Sequence, residues 1–213
     1  MSLLHTLVVG PLDTNCYLIG DEATRECAII DPGGDEDRIA AALKKRNLRP
    51  EMILLTHAHF DHTGAVAALK RRFNLRVGVS QAEASCLEDA RHSGAAWFGF
   101  PFQPSKADFF IADGGEIGAG SVTLKALATP GHSSGGLSFL GEGLVFVGDV
   151  LFHDGIGRYD LPGSDFEALR RSLKRLLALD DAMRVYPGHG PATTIGRERR
   201  SNPSLIELGL SGG

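Results

Sequence analysis

The sequence is poor in cysteine, in aromatic rings and in unbroken apolar stretches, and it has no excess of basic charge. Three cysteines in 213 residues, an odd number without framework spacing, exclude a disulfide-built scaffold and point to reduced thiols in the cytoplasm. Cys16 and Cys27 fall in strand-like runs and read as small core residues. No apolar run reaches the roughly 18 residues of a membrane span. The stretch Met1 to Gly10 has neither a basic n-region nor a small-residue cleavage pattern, so no signal peptide is expected. With 22 Lys and Arg against 26 Asp and Glu, the formal net charge is −4. The basic stripe of a nucleic-acid binder is missing, and neither nucleic acid nor membrane is an expected partner.

What the chain does hold is 43% hydrophobic residues, enough for a sizeable core, together with 27 glycines and 8 histidines. The length predicts a single domain spanning 1–213. Leu3 to Val9, Asn15 to Ile19, Cys27 to Ile30, Met52 to Leu55 and Arg76 to Val79 read as strands in the first half. A helix ending near Arg46 and another from Gly64, with Val66, Leu69 and Phe73 on one face, lie between them. Gln81 to Arg91 reads as a further helix. Trp97 to Pro104 holds four aromatic residues and two prolines; it either walls a pocket as a lid or folds irregularly onto the core. Val122 to Leu127, Leu137 to Leu140, Leu144 to Val147 and Arg184 to Tyr186 are the strands of the second half. Ser164-x-x-Glu167 reads as a capping box opening a helix with Phe166, Leu169, Leu173 and Leu176 buried. Strands in each half with helices between and after them predict an α/β layered sandwich.

The chemistry sits in Thr56-His57-Ala58-His59-Phe60-Asp61-His62-Thr63-Gly64. Three imidazoles and a carboxylate leave the end of an apolar strand in an irregular turn, which can swing residues one to three apart toward one point. Imidazole nitrogen with carboxylate oxygen suits Zn2+, Fe2+ or Mn2+. One turn cannot enclose a metal, so further ligands must come from elsewhere. His132 in Pro130-Gly131-His132, Asp149 in Gly148-Asp149 and His189 in Pro187-Gly188-His189 each follow a strand-like run, where sites gather. His5 and His92 read as structural or solvent-facing, and His153 lies near the loop of Arg158. Asp31, after its strand, reads as a turn or cap residue. Arg197 to Arg200 reads as a solvated helix face.

T-H-x-H-x-D-H-x-G followed in order by G-H, G-D and P-G-H resembles the metallo-β-lactamase superfamily over nearly the whole chain. Pro11 to Tyr17, Gly155 to Gly163 and Asn202-Pro203 are similar to its glyoxalase II (hydroxyacylglutathione hydrolase) branch, in the short form. The resemblance implies a four-layer αββα fold and two divalent metal ions, zinc first, with iron or manganese as alternatives. It further implies one metal on His57, His59 and His132, another on Asp61, His62 and His189, and Asp149 bridging them. About twenty residues follow Ala192, so the separate C-terminal helical domain that helps classical glyoxalase II hold glutathione is not expected.

A metal lowers the pKa of bound water from about 15.7 to near 7. Asp61 is expected to orient the resulting metal-bound hydroxide. A thiolate, with a pKa near 8.5, leaves without a general acid, which favours a small-molecule thioester, S-D-lactoylglutathione or a related hydroxyacyl thioester. The zinc β-lactamases of the superfamily most often carry Cys where this chain has Asp149, which counts against a lactam substrate. Arg158 matches a basic residue that contacts glutathione in the glyoxalase II pattern and is expected to grip a substrate carboxylate, with Tyr159 beside it. The alternative is a persulfide dioxygenase holding a single iron, here on His57, His132 and Asp149.

Overall fold

The computed structural model describes residues 2–211; Met1 and the last two residues of the expected 1–213 domain lie outside them. The first sheet takes β1 (Ser2–Val9), β2 (Thr14–Asp21), β3 (Glu26–Ile30), β4 (Arg49–Leu54), β5 (Arg76–Val79) and β6 (Phe109–Phe110), in that spatial order. β1 to β3 pair antiparallel, and β3 to β6 pair parallel. The parallel part needs crossovers, supplied by α1 (Glu36–Lys45), and by α2 (Phe60–Thr63) with α3 (Val66–Phe73). After β5 come a 3-10 segment (Gln81–Leu87) and α4 (Ala95–Phe98).

The second sheet is built from β7 (Glu116–Ala119), β8 (Val122–Ala128), β9 (Leu137–Gly141), β10 (Leu144–Gly148), β13 (Arg184–Pro187) and β14 (Thr193–Thr194). Its order is β14-β13-β10-β9-β8-β7. A small hairpin of β11 (Leu151–Phe152) and β12 (Gly155–Ile156) follows β10, and α5 (Phe166–Leu177), α6 (Ile195–Ser201) and α7 (Pro203–Glu207) complete the chain.

Side-chain parity shows why the sheets stack. Along a strand, successive side chains point to opposite faces. Cys16, Leu18, Cys27, Ile29, Ile53 and Leu55 join an outer core with α1 and α3. Their neighbours Tyr17, Ile19, Ala28, Ile30, Met52 and Leu54 join a central core with Leu124, Ala126, Phe139 and Phe146 of the second sheet. Val145, Val147 and Val185 turn the other way, onto Leu169, Leu173, Leu176, Ile195 and Leu205 of α5 to α7. Three apolar layers thus separate four layers of secondary structure, the expected αββα sandwich. Strands covered on both faces explain the nearly continuous apolar runs of β3, β10 and the second half of β4.

Several local expectations need correction. Gln81 to Arg91 is not an α-helix: a 3-10 segment ends at Leu87 and turns follow. The Glu83 carboxylate is drawn inward there, accepting from the backbone N–H of Ala58 (3.0 Å) and Gly135 (2.7 Å). Ser164 does not cap α5. Asp165 does, accepting from Ala168 N at 2.8 Å, while the Ser164 hydroxyl donates to Leu161 O. Arg197 to Arg200 is no simple solvated face. Arg197 pairs with Asp154 and with the buried Glu198, and both Arg199 and Arg200 pair with Asp181. No helix among the described residues is long and apolar enough to cross a membrane.

Candidate metal centre

All seven side chains singled out in the sequence converge just beyond the C-terminal ends of strands, where open α/β sheets leave room for ligands. The turn after β4 brings His57, His59, Asp61 and His62; the loop after β8 brings His132; β10 leads to Asp149 and β13 to His189. Three overlapping groups have ligand atoms close enough to share an ion: His57 with His59 and His132, His57 with His62 and Asp149, and Asp61 with His62 and His189. The first sheet therefore supplies four of the seven side chains and the second sheet three.

The imidazoles are aimed by what their far nitrogens bond. His132 Nδ1 donates to Arg158 O at 2.9 Å and His189 Nδ1 to Leu12 O at 3.0 Å. His62 Nδ1 donates to Asp31 Oδ2 at 3.1 Å. His57 Nδ1 bonds Thr56 Oγ1 at 3.1 Å, and that hydroxyl donates onward to Asp31 Oδ2 at 2.6 Å. In each case Nε2 is left facing the cluster, the usual way a metal-binding histidine is oriented.

Asp31 thus corrects its sequence reading as a turn or cap. Fully buried at the end of β3, it also accepts from Thr56 N at 2.8 Å and holds the start of the ligand turn. Sequence reasoning missed Glu83 as well, which ties Ala58 in that turn to the loop after His132. The Pro11 to Tyr17 motif has a physical role: Asn15 Nδ2 donates to Pro187 O and Gly190 O, and Tyr17 Oη donates to Pro187 O at 2.6 Å. These bonds fix the loop that carries His189.

The donor set fits divalent cations. His57 Nε2, His62 Nε2 and Asp149 Oδ1 are buried without any hydrogen-bond partner, an expensive condition unless an ion satisfies them. His59 Nδ1 and His132 Nε2 face each other at 3.0 Å. Burial and the neighbouring imidazoles push His57 well below its ordinary pKa, and burial with His132 brings His59 down to about 4. Both are therefore neutral at pH 7, the form that binds metal. Burial alone would raise Asp61 and Asp149, but His62 and its neighbours outweigh it and hold both below the usual carboxylate range. Burial lowers His62, yet Asp61 and Asp149 more than reverse this and raise it well above the ordinary value; the two carboxylates call for positive charge at this point, which a metal would supply in place of the proton. Gly188 keeps the nest open, since a Cβ there would fall on Asp149 Oδ1 and close to His62.

The metallo-beta-lactamase superfamily model matches residues 9–189, a span containing every one of these side chains. The chain belongs to the metallo-beta-lactamase superfamily. It is 41% identical over 207 residues to the probable metallo-hydrolase YqgX of Bacillus subtilis, covering 95% of this chain and 97% of that one. It is 36% identical to the hydroxyacylglutathione hydrolase GloC of Haemophilus influenzae, with 95% and 97% covered. The solved structure of BLEG-1, a B3 metallo-beta-lactamase, superposes with a TM-score of 0.91 at 38% identity, covering 95% of this chain and 99% of that one. TTHA1623 in a di-iron-bound form gives a TM-score of 0.87 at 40% identity, with 94% and 100% covered. This chain is accordingly a metallo-hydrolase of the superfamily, with the binuclear His/Asp centre typical of it.

The centre opens into a cavity of about 620 Å³ lined by His59, Asp61, His132, Asp149 and His189 at its floor. Arg158 lines it too, with its guanidinium forked onto Asp160 at 2.9 and 3.0 Å. Tyr159 is not among the lining residues; its ring is half exposed and packs on Phe166 at 4.7 Å. Of the remaining histidines, His92 lines the cavity, His5 bonds Arg46, and His153 pairs with Asp154 away from the cluster. Phe60, Trp97, Phe98 and Phe100 form an aromatic side, so the Trp97 segment walls a pocket, and α4 is its only regular turn.

Proposed function

We propose that this protein hydrolyses a thioester, with S-D-lactoylglutathione or a related hydroxyacyl thioester as first choice. The observation that carries this reading is a cavity floored by the His/Asp cluster, with no available hydroxyl or thiol nucleophile in its lining. Ser93 is the single such residue lining it, and its buried hydroxyl is spent on Ala90 O. Water is then the nucleophile. A leaving thiolate, with a pKa near 8.5, departs without a dedicated proton donor, whereas an amine would need one.

His57, His59 and His132 would hold one cation, Asp61, His62 and His189 a second, and Asp149 would bridge them. Zinc is the first choice for both, with iron or manganese as alternatives; the di-iron form of TTHA1623 supports a pair of ions. Bound there, the cations would supply an acidified water and polarise the substrate carbonyl. Asp61, held ionised beside His62 and His189, orients the attacking water from the cavity floor. Arg158 exchanges its fork on Asp160 for a carboxylate of the thiol carrier. The name of GloC supports glutathione as that carrier.

The test is metal quantification on freshly purified protein together with thiol release from S-D-lactoylglutathione. Two metals per chain and stoichiometric thiol release are expected. One iron per chain with oxygen uptake on glutathione persulfide would instead favour the dioxygenase alternative. The name carried by BLEG-1 makes a β-lactam the control substrate.

A further inference from the structure

The cavity lining combines a group of aromatic rings with the cationic side chains of Arg91 and Arg158. Phe60 lies between His59 and Asp61, so apolar surface begins at the metal centre itself. Its ring stacks on Phe100 at 4.8 Å and 19°, and packs on Phe98 at 5.7 Å. The wall continues onto α4, which is set between Gly94 and Gly99, both at positive φ (87° and 71°). Ala95 takes the buried position of that turn, leaving Trp97 69% and Phe98 54% exposed. Trp97 Nε1 donates to Arg91 O at 3.0 Å, so the indole's polar atom is spent and its ring remains as apolar surface. Large aromatic side chains grouped in the open around a cavity mark a place that something covers. Of the two cations, Arg91 beside this turn is largely exposed and pairs with Asp89, whereas Arg158 is joined directly to His132 through its carbonyl and asks for a negative charge.

We propose that the acyl half of the substrate is an aromatic or similarly bulky apolar group, seated against Phe60, Trp97, Phe98 and Phe100, while the carboxylates of the thiol carrier face Arg158. This rests on the thioester reading above, and within it moves the preferred acyl group from lactoyl to an aryl-bearing hydroxyacyl relative. The carrier's anionic groups take the cationic side, which leaves the acyl group for the aromatic one. A lactoyl group, with three carbons and a hydroxyl, leaves most of that wall in water. An aryl-substituted 2-hydroxyacyl group covers it by offset or edge-to-face packing.

The metal-replete protein is assayed with S-D-mandeloylglutathione and S-D-lactoylglutathione. The wild type is expected to favour the mandeloyl ester at least tenfold in kcat/KM. In Trp97→Ala and Phe98→Ala, both at exposed positions, that preference is expected to fall at least fivefold, chiefly through KM. Trp97 is the chain's single tryptophan, so binding also has an optical readout. S-benzylglutathione is expected to blue-shift its emission, and S-methylglutathione to leave it unmoved. A wild-type preference for the lactoyl ester, an equal loss on both esters in the variants, or equal emission shifts with both thioethers would overturn the proposal alone. No thiol release from either ester would overturn the thioester reading and this proposal with it.

Discussion

The floor of the cavity and its mouth are built on opposite plans. At the floor His57, Asp61, His62 and His132 are buried and His59, Asp149 and His189 partly so, and four of the five imidazoles are anchored through Nδ1 to an oxygen. Neighbouring glycines leave no room for anything larger. At the mouth, aromatic rings stand exposed on a single helical turn, and Arg158 is held by one surface carboxylate. Chemistry that depends on ligand position needs the first plan. Selection among substrates tolerates the second, because a change there leaves the ligand geometry alone. Relatives as different as a hydroxyacylglutathione hydrolase and a B3 metallo-beta-lactamase fit that division.

The sharpest way to break the contrast is at the floor. Asp149→Ala is expected to lower turnover at least about a thousandfold and to reduce metal content below two ions per chain, read by elemental analysis. Asp31→Ala tests whether the floor extends beyond the ligands. It leaves Thr56 N, Thr56 Oγ1 and His62 Nδ1 without their acceptor. A loss of about 10- to 100-fold in metal affinity, by chelator competition, is expected, with on the order of 3 kcal/mol of stability by urea unfolding.

A third experiment probes the support behind the loop of Asp149 and Arg158. Glu198 accepts from Thr193, Asp154 N, Arg197 and Asn202, and Asn202 in turn donates to Phe152 O and Gly155 O of the β11–β12 hairpin. Burial would raise the Glu198 carboxyl, but these donors hold it below its ordinary 4.5. Its contribution to stability is therefore present above about pH 4.5 and lost as pH falls through the depressed value. Glu198→Gln is expected to flatten that part of the acid-unfolding profile, followed by circular dichroism. The smallest effect belongs to the mouth. Asp160→Asn frees Arg158 and removes a negative charge, so KM for a glutathione thioester is expected to drop about two- to fivefold, the scale of an exposed ion pair.

The metal-ligand candidates were legible in the sequence because their pattern is compressed into one turn and then repeated at strand ends marked by glycine. The layered fold was legible because β3, β10 and the second half of β4 are apolar on both faces. Asp31 was misread because its meaning depends on partners at Thr56 and His62, and nothing beside it in the chain announces them. Asn15 and Tyr17 carried a family likeness whose physical reason, a grip on the Pro187 carbonyl across the molecule, appears only when the two sheets are packed. Gln81 to Arg91 read as a helix, but Glu83 serves two distant N–H groups, and that tertiary demand overrode the local preference. Very short strands such as β6, β11, β12 and β14 have too few residues to show a period.

The turn at His57 hangs from one sheet, and His132, Asp149 and His189 hang from the other. A cation gripped by both would be a staple across the midline, added to the apolar layer that already joins the two sheets. Parting that layer would then also require release of the ion, so the metal-free protein is expected to come apart faster than the loaded one.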